Sequence, residues 1–184
     1  TMTAHALPEV TKAVAEQAGR IPHTSTLYLN RPMTELAERI AALIAEPVQG
    51  VGGFTSGPDG LFAAFREVLA EHGILWISDE VQTGWGRTGQ HFWGWQAHAA
   101  AGPPDMLTFA KGIGNGMSVG GVVARAEVMN CLDVNSVSTF GGSPVTMAAG
   151  LANLGYLLEH DLQGNARRVG ALLMERVRDA AAGL

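Results

Sequence analysis

The sequence of 184 residues has very little cysteine and no long apolar run. Its one cysteine, Cys131, excludes an internal disulfide and any C-x-x-C metal or redox motif, and it is compatible with a reducing compartment. No apolar stretch approaches the roughly 20 residues that cross a bilayer, and no basic segment followed by an apolar one opens the chain. We therefore expect a cytoplasmic protein with neither a membrane span nor a signal peptide.

Positive charge is also scarce, with 12 Lys and Arg residues against 17 Asp and Glu, for a net charge of −5. This balance argues against nucleic acid or an anionic membrane as the main partner. The six histidines form no H-E-x-x-H motif and no other paired ligand spacing, so no metal site is predicted. Apolar residues make up 47% of the chain, which is enough for a substantial core.

Short apolar strands alternate with amphipathic helices along the chain. Such strands are typical of an α/β fold, in which a mostly parallel sheet is buried between helices. The predicted strands cover residues 74–77, 106–110 and 119–124. The predicted helices cover residues 8–18, 32–44, 61–72, the stretch that follows Ser143 and Pro144, and 165–182, with loops at 20–31, 49–60 and 84–102.

One junction in this pattern lacks connecting residues. The helix predicted to end at about Ile44 runs into Leu43–Val48, which begins to resemble a strand, and no turn residue lies between Thr34 and Glu46. A helix and a strand normally need a few residues with turn chemistry between them. The sequence therefore indicates that connecting chain has been lost at Ile44–Ala45.

Two residues that carry chemistry follow apolar strands. Asp79 comes after Ile74–Ile77, and Lys111 comes after Met106–Ala110 and precedes three glycines in five residues. Ligands of open α/β sheets bind beyond the carboxyl ends of strands, and glycines let a backbone approach a ligand closely. The alternatives are that Asp79 begins a solvated loop and that Lys111 is a surface lysine. Pyridoxal 5′-phosphate (PLP) chemistry needs such a pair, because a lysine amine holds the cofactor and a carboxylate keeps its pyridine nitrogen protonated.

Four blocks, in order and with suitable spacing, resemble the class III PLP-dependent aminotransferases. They are Ala45–Gly50, Ile74–Gly89, Asp105–Gly116 and Ser138–Pro144. Within that family, His91–Gln96 and Lys111–Gly116 are most similar to the mitochondrial-type alanine–glyoxylate aminotransferases. Val51 stands where several 4-aminobutyrate and ornithine enzymes have a glutamate, which also favours the alanine–glyoxylate subgroup.

The resemblance implies roles around the cofactor ring for four residues. Lys111 would hold PLP covalently and, once displaced, would move the substrate proton. Asp79 would pair with the pyridinium nitrogen. Gln82 would bind near the ring hydroxyl, and Val81 would pack against one face of the ring.

Two further residues have implied roles farther out. Thr139 would donate to the cofactor phosphate, usually across the interface of a homodimer, and Glu46 would support the site from behind. The implied reaction transfers an amino group from an alanine-like amino acid to a 2-oxo acid such as glyoxylate or pyruvate. Aminomutases and decarboxylases of the same fold share these residues, so they remain an alternative.

The implied fold is the large domain of aspartate aminotransferase, here incomplete. We divide the chain into an N-terminal helical segment (1–44), a PLP-binding portion (45–145) and a long helix with the start of a C-terminal domain (146–184). The phosphate-binding Ser/Gly loop, the ring-stacking aromatic residue and the small C-terminal domain of the family are not found. We therefore expect weak or absent activity, and a catalytically dead remnant is a further alternative.

A dinucleotide site is the remaining alternative. Gly84–Gly89 has the spacing G-x-G-x-x-G, but a dinucleotide site needs a helix to begin there. Aromatic and polar residues without helical periodicity follow instead, which argues against that interpretation.

Overall fold

A computed structural model describes Lys12 and residues 42–131 and 138–183. The chain divides into two compact units, 1–39 and 40–184. In the first unit only Lys12 is described, as a helical and exposed residue. The rest of the helix predicted at 8–18, the loop predicted at 20–31 and most of the helix predicted at 32–44 lie outside the described residues.

A four-stranded sheet forms the centre of the second unit. Its strands are β1 (Ala42–Ala45), β4 (Leu75–Asp79), β5 (Met106–Phe109) and β6 (Gly121–Ala124), in the spatial order β1-β4-β5-β6. The pairs β1–β4 and β4–β5 are parallel, and β5–β6 is antiparallel. The predicted α/β fold with a mostly parallel sheet is therefore confirmed.

Helices and a small hairpin complete this unit. The helices are α1 (Leu61–Glu71), α2 (Ala126–Met129), α3 (Pro144–Glu159) and α4 (Leu162–Ala181), and 3₁₀ helices cover Gly94–Ala101 and Lys111–Gly114. The two strands β2 (Val48–Gln49) and β3 (Thr55–Ser56) form an antiparallel hairpin inside the predicted glycine-rich loop. None of the described helices is both long enough and apolar enough to cross a membrane.

Several predicted boundaries were wrong, and two of these errors have a visible local cause. The last helix begins at Leu162 rather than at residue 165, because the Asp161 side chain caps it by accepting a hydrogen bond from the Gly164 amide at 3.0 Å. The irregular segment predicted at 84–102 contains the 3₁₀ helix Gly94–Ala101, whose entry is fixed by the Trp93 amide donating to Gln96 Oε1 at 2.9 Å. The strand predicted to end before Asp79 includes Asp79.

The predicted helix at 32–44 was wrong at its end, because Ala42–Ala45 is strand β1. These residues pair with Leu75–Ser78 of β4, and a ladder of this kind overrides a local apolar periodicity. The proposed junction at Ile44–Ala45 therefore lies inside a strand. β1 is an edge strand of the described sheet, with Ile44 55% exposed. The loss of connecting chain stays a prediction.

The core lies between α1 and the sheet. Phe62 and Leu69 of α1 are buried, as are Ile74 and Trp76, and the rings of Phe62 and Trp76 lie 5.7 Å apart. Burial of side chains of this size contributes roughly 1.5–3 kcal/mol each. This packing fixes α1 against β4, the strand that ends at Asp79.

An ion pair with a buried carboxylate ties α1 to the sheet. Asp105 is 2% exposed and accepts hydrogen bonds from the Arg66 guanidinium at 2.6 Å and from the Trp76 amide at 2.8 Å, while Arg125 lies 2.8 Å away. Burial by itself raises the pKa of Asp105, but the hydrogen bonds and positive charges outweigh it and hold that pKa below its ordinary value of 3.8. The ionised carboxylate therefore joins helix, β4 and the start of β5.

Candidate active site

Three candidate residues follow neighbouring parallel strands. Glu46 comes directly after β1, Asp79 is the last residue of β4, and Lys111 comes two residues after the end of β5. Since the carboxyl ends of parallel strands meet at one edge of a sheet, the fold brings these residues to the same edge. The sequence placed Asp79 and Lys111 after strands, but it could not show that the two strands are adjacent.

Lys111 and Gln82 are joined directly. The Lys111 ammonium donates a hydrogen bond to Gln82 Oε1 at 2.9 Å, although the two residues are 29 positions apart. Lys111 is exposed, so its amine is open to a ligand. Its backbone has a φ of 49°, in the left-handed region that costs a non-glycine residue about 1–2 kcal/mol. The lysine therefore stands in a turn whose shape the surrounding structure imposes.

Asp79 is half-buried and partly satisfied by its own turn. Asp79 Oδ1 accepts a hydrogen bond from the Val81 amide at 3.0 Å. An ionised carboxylate offers about four acceptor positions, so it retains capacity for a further donor. The side chain of Val81 is also half-buried, in the same turn.

Glu80 is the residue that sequence reasoning missed. The sequence analysis assigned it no role, yet it is 0% exposed. Its carboxylate accepts four hydrogen bonds, from the hydroxyls of Ser78 and Thr83 and from the amides of Gly94 and Trp95. It thereby fixes the turn that begins at Asp79 to the segment around Gly94. The alternation of β4 could have found it, because Glu80 continues the face of the buried residues Ile74, Trp76 and Ser78. The amide donors could not be foreseen, because they lie 14 and 15 positions away.

Glu46 is connected to Lys111 only indirectly, through Gly50 and Gln82. Glu46 Oε2 accepts a hydrogen bond from the Gly50 amide at 3.0 Å. A Cβ added at Gly50 would lie 2.7 Å from Gln82 Nε2, so Gly50 lies directly against the glutamine that contacts Lys111. Glu46 is thus linked to Gln82 through Gly50, and its supporting role stays a prediction.

Thr139 stands apart from the other candidates. It is exposed in a bend in which the Ser138 hydroxyl accepts a hydrogen bond from the Gly141 amide at 3.1 Å. No hydrogen bond joins Thr139 to the other five candidates within the described part of the chain. Its role as a phosphate donor stays a prediction.

An aromatic cluster packs beside the lysine turn. Trp85 lies 4.9 Å from Trp93, 5.1 Å from Phe109 and 5.8 Å from Phe92, measured between ring centroids. Phe109 ends β5, two residues before Lys111. The tryptophans of this segment therefore support the end of β5.

Gly84–Gly89 forms turns, and no helix begins there. Gly86 and Gly89 have positive φ angles of 72° and 77° and lie against Gln163 and Arg167 of α4. The glycines of this G-x-G-x-x-G sequence thus serve close packing against a helix, which agrees with the rejection of a dinucleotide site.

Polar groups at this edge match the chemistry of PLP. Lys111 supplies an amine, Asp79 supplies a carboxylate with spare acceptor positions, and Gln82 supplies an amide. Thr108, the register partner of Asp79, has a buried hydroxyl with no hydrogen-bond partner. An unpaired buried hydroxyl normally indicates a missing partner. Of these groups, Gln82 lines a cavity of about 370 Å³, together with Val48, Gly50, Phe54, Thr83, Arg87 and Thr88, and Lys111 lines a second cavity of about 580 Å³.

Comparisons with known proteins agree with this geometry. The model of the aminotransferase class-III family matches residues 29–183. Human alanine–glyoxylate aminotransferase 2, mitochondrial, is 41% identical over 143 residues, which are 77% of this chain and 27% of that protein. An alanine/serine racemase from Pyrococcus horikoshii is 39% identical over 142 residues, 77% of this chain and 29% of that protein.

A solved structure shares the fold. The ornithine aminotransferase from Toxoplasma gondii, crystallised in the presence of oxidised glutathione and with partial occupancy of PLP at its active site, superposes with a TM-score of 0.70 and 31% identity. The match covers 83% of this chain and 36% of that chain. This likeness confirms the predicted transaminase fold.

The chain belongs to the class-III aminotransferase family, as its four sequence blocks predicted. The predicted likeness to alanine–glyoxylate aminotransferases is confirmed as well. The chain spans between 27% and 36% of the length of these relatives. The activity of a whole protein therefore does not pass to it by similarity alone.

Proposed function

We propose that this chain forms the PLP-binding part of a transaminase. It would transfer the amino group of an alanine-like amino acid to a 2-oxo acid such as glyoxylate or pyruvate. The donor then leaves as a 2-oxo acid and the acceptor leaves as an amino acid, so the reaction needs no external oxidant or reductant. The observation that supports this best is the convergence of Glu46, Asp79 and Lys111 at one edge of the sheet, with Lys111 held by Gln82.

Each residue has a definite task in this proposal. PLP, when bound, draws electrons from the substrate carbon that carries the amino group. Asp79 keeps a proton on the pyridine nitrogen, and such a charge-assisted hydrogen bond contributes roughly 1.5–3 kcal/mol. Lys111 would hold PLP through its amine and, once the substrate amine displaced it, would take the proton from the substrate carbon and later return a proton.

The surrounding residues orient these two. Gln82 positions the Lys111 amine and binds near the ring hydroxyl, and Val81 packs on the ring. Glu46 supports Gln82 through Gly50, as its hydrogen bond to the Gly50 amide suggests. Thr139 donates to the phosphate.

The assembly and location belong to the same proposal. We propose a homodimer in which Thr139 serves the partner's cofactor, and we propose no nucleic-acid or membrane partner because the net charge is −5. A cytoplasmic location is proposed on the single cysteine, although the human relative is named as mitochondrial. The division at residues 44 and 145 and the low activity expected without the Ser/Gly loop stay predictions.

A second function is favoured by one comparison. The Pyrococcus horikoshii relative, named an alanine/serine racemase, is almost as similar as the human aminotransferase. The cofactor residues serve several PLP reactions, and the residues on the substrate side choose among them. Isomerisation of an amino acid is therefore the alternative, together with aminomutase or decarboxylase chemistry.

The chain has only two lysines, which makes covalent trapping a sharp test. The purified chain is mixed with PLP, reduced with borohydride and mapped by mass spectrometry. In the wild type we expect the label on Lys111. In Lys111→Ala we expect no label above background, either at position 111 or on Lys12. Equal labelling of Lys12 and Lys111 in the wild type would overturn the proposal. Assays with alanine and glyoxylate, and with single enantiomers of alanine, then separate transamination, racemisation and a remnant that binds PLP without turnover.

A further inference from the structure

The loop that carries Lys111 is held from outside by helix α3. The side-chain amide of Asn153 donates hydrogen bonds to the carbonyl oxygens of Gly112 at 2.8 Å and of Ile113 at 3.1 Å. These two carbonyls belong to the residues directly after the lysine. We propose that Asn153 is a positioning residue, which fixes the turn at Lys111 so that the lysine amine faces Gln82. The inference rests on the proposed function of Lys111 as the cofactor lysine.

The turn needs such an anchor because its backbone is strained. Lys111 and Asn115, at its two ends, have φ angles of 49° and 45°. Positions of this kind persist only where surrounding contacts impose them. Inside the turn, the hydrogen bond from the Asn115 amide to the Gly112 carbonyl is long, at 3.4 Å. Gly112 has no side chain that could fix it by packing. A hydrogen-bond donor that binds its carbonyl oxygen therefore fixes the backbone of the turn.

Helix α3 approaches the turn closely at Asn153. Gly150 lies one turn earlier on the same helical face and is buried. A Cβ at Gly150 would lie 3.8 Å from both Cγ1 and the carbonyl oxygen of Ile113. Ile113 is itself 6% exposed, so its side chain is anchored in the core. Gly150 therefore lets α3 come close to the turn. Ile113 provides the apolar contact, and Asn153 provides the hydrogen bonds.

The inference predicts opposite effects on two reactions of the lysine. Without the Asn153 amide, the turn leaves its strained form, and the Lys111 amine leaves Gln82. The freed amine reacts faster with a small acylating reagent, which needs only access. It binds PLP less well, because PLP needs the amine opposite Asp79. Loss of one hydrogen bond of ordinary strength corresponds to about a fivefold change in such an equilibrium.

The test compares substitutions at two asparagines of the whole chain. Asn153→Asp keeps the shape, removes the donor and places a carboxylate against the two carbonyl oxygens, whereas Asn153→Gln keeps a donor on a longer side chain. Asn165→Asp is the matched control, since Asn165 is exposed on α4 and accepts from Arg168. Acetic anhydride is added at low dose without PLP, and mass spectrometry gives the acetylation of Lys111 relative to Lys12.

We expect Asn153→Asp to raise this ratio about fivefold and Asn165→Asp to leave it unchanged. Asn153→Gln should lie between Asn153→Asp and wild type. A ratio in Asn153→Asp equal to that of wild type, or an equal shift in Asn165→Asp, would overturn the inference. If Asn153→Asp does not fold, the uncharged Asn153→Ala, which has no side-chain donor, replaces it with the same expectation.

Trapping with PLP and borohydride on the same variants separates this inference from the proposed function. If wild type takes no PLP on Lys111 while Asn153→Asp still raises the acetylation ratio, the proposed function fails and the positioning role stands. If wild type and Asn153→Asp take equal PLP and show equal acetylation, the function stands and the positioning role fails. We expect PLP uptake to fall about fivefold in Asn153→Asp while its acetylation rises.

Discussion

Replacing Glu80 by glutamine tests whether one buried carboxylate holds the turn that carries Asp79. Glutamine keeps the shape but turns one acceptor oxygen into an NH₂ group. Each Glu80 oxygen accepts from one hydroxyl and one backbone amide, at distances of 2.5–3.0 Å. A hydroxyl can rotate and accept from the new NH₂, but a backbone amide cannot. Glu80→Gln therefore leaves one amide, that of Gly94 or Trp95, without an acceptor.

The magnitude follows from three contributions. An amide left without an acceptor costs about 1–3 kcal/mol, and the three remaining hydrogen bonds each lose roughly 1 kcal/mol of charge assistance. Because glutamine is uncharged, the desolvation penalty of the buried charge, on the order of a few kcal/mol, disappears and offsets part of this loss. The expected net loss is about 2–3 kcal/mol in the free energy of unfolding. Thr83→Val removes one donor and leaves Glu80 three, so it should cost only about 1 kcal/mol.

Urea unfolding followed by tryptophan fluorescence measures both variants. All four tryptophans lie between residues 76 and 95, on β4 or near the Glu80 contacts. With a slope of about 2 kcal/mol per molar urea, Glu80→Gln should lower the midpoint by about 1 M. An unchanged midpoint, or a larger loss in Thr83→Val than in Glu80→Gln, would refute the reasoning.

Three further predictions concern stability. The folded-state pKa of Asp105 lies below its unfolded value, so the stability that its ionised carboxylate contributes is fully present above about pH 4 and is lost as pH falls through the folded pKa. Urea midpoints measured from pH 7 to pH 2.5 should therefore drop more steeply in wild type than in Asp105→Asn. Gly155→Ala, inside α3 with open space around it, should raise the free energy of unfolding by about 0.5–1 kcal/mol, and no gain in the urea midpoint would contradict this. Gly89→Ala should lower the free energy of unfolding by about 1–3 kcal/mol, because Gly89 has a φ of 77° and the new Cβ would overlap the backbone of Arg167. A urea midpoint equal to that of wild type would show that α4 is not packed against Gly89.

Local sequence patterns predicted most of the helices and strands. They failed where pairing between residues far apart in the chain decides the structure. The apolar runs at β4 and β5 and the amphipathic pattern of α1 were found, because burial on one face or both leaves a periodicity in the sequence. Residues 42–44 were assigned to the end of a helix, although Leu43–Val48 already resembled a strand, since the partner strand β4 lies more than 30 residues away. The antiparallel orientation of β6 likewise depends on its ladder with β5.

The candidate site shows the same division. Asp79 and Lys111 were found because a carboxylate and a glycine-flanked lysine after apolar strands match a chemical requirement, and four motif blocks identified the family. Glu80 was missed because a glutamate is rarely fully buried, although it continues the buried face of β4 after Trp76 and Ser78. The contact of Gln82 with Lys111 was assigned no role in advance, since it joins two loops 29 residues apart.

The sequence by itself determined the family, the α/β class and the lysine and aspartate that the proposed chemistry needs, because these depend on residue type and short spacing. The tertiary structure decided that Glu46, Asp79 and Lys111 share one edge, that Glu80 is buried under four donors and that Asn153 holds the lysine turn. Such features depend on which strands and helices become neighbours. That choice is made by packing and hydrogen bonding between residues far apart in the chain, where no local pattern records it.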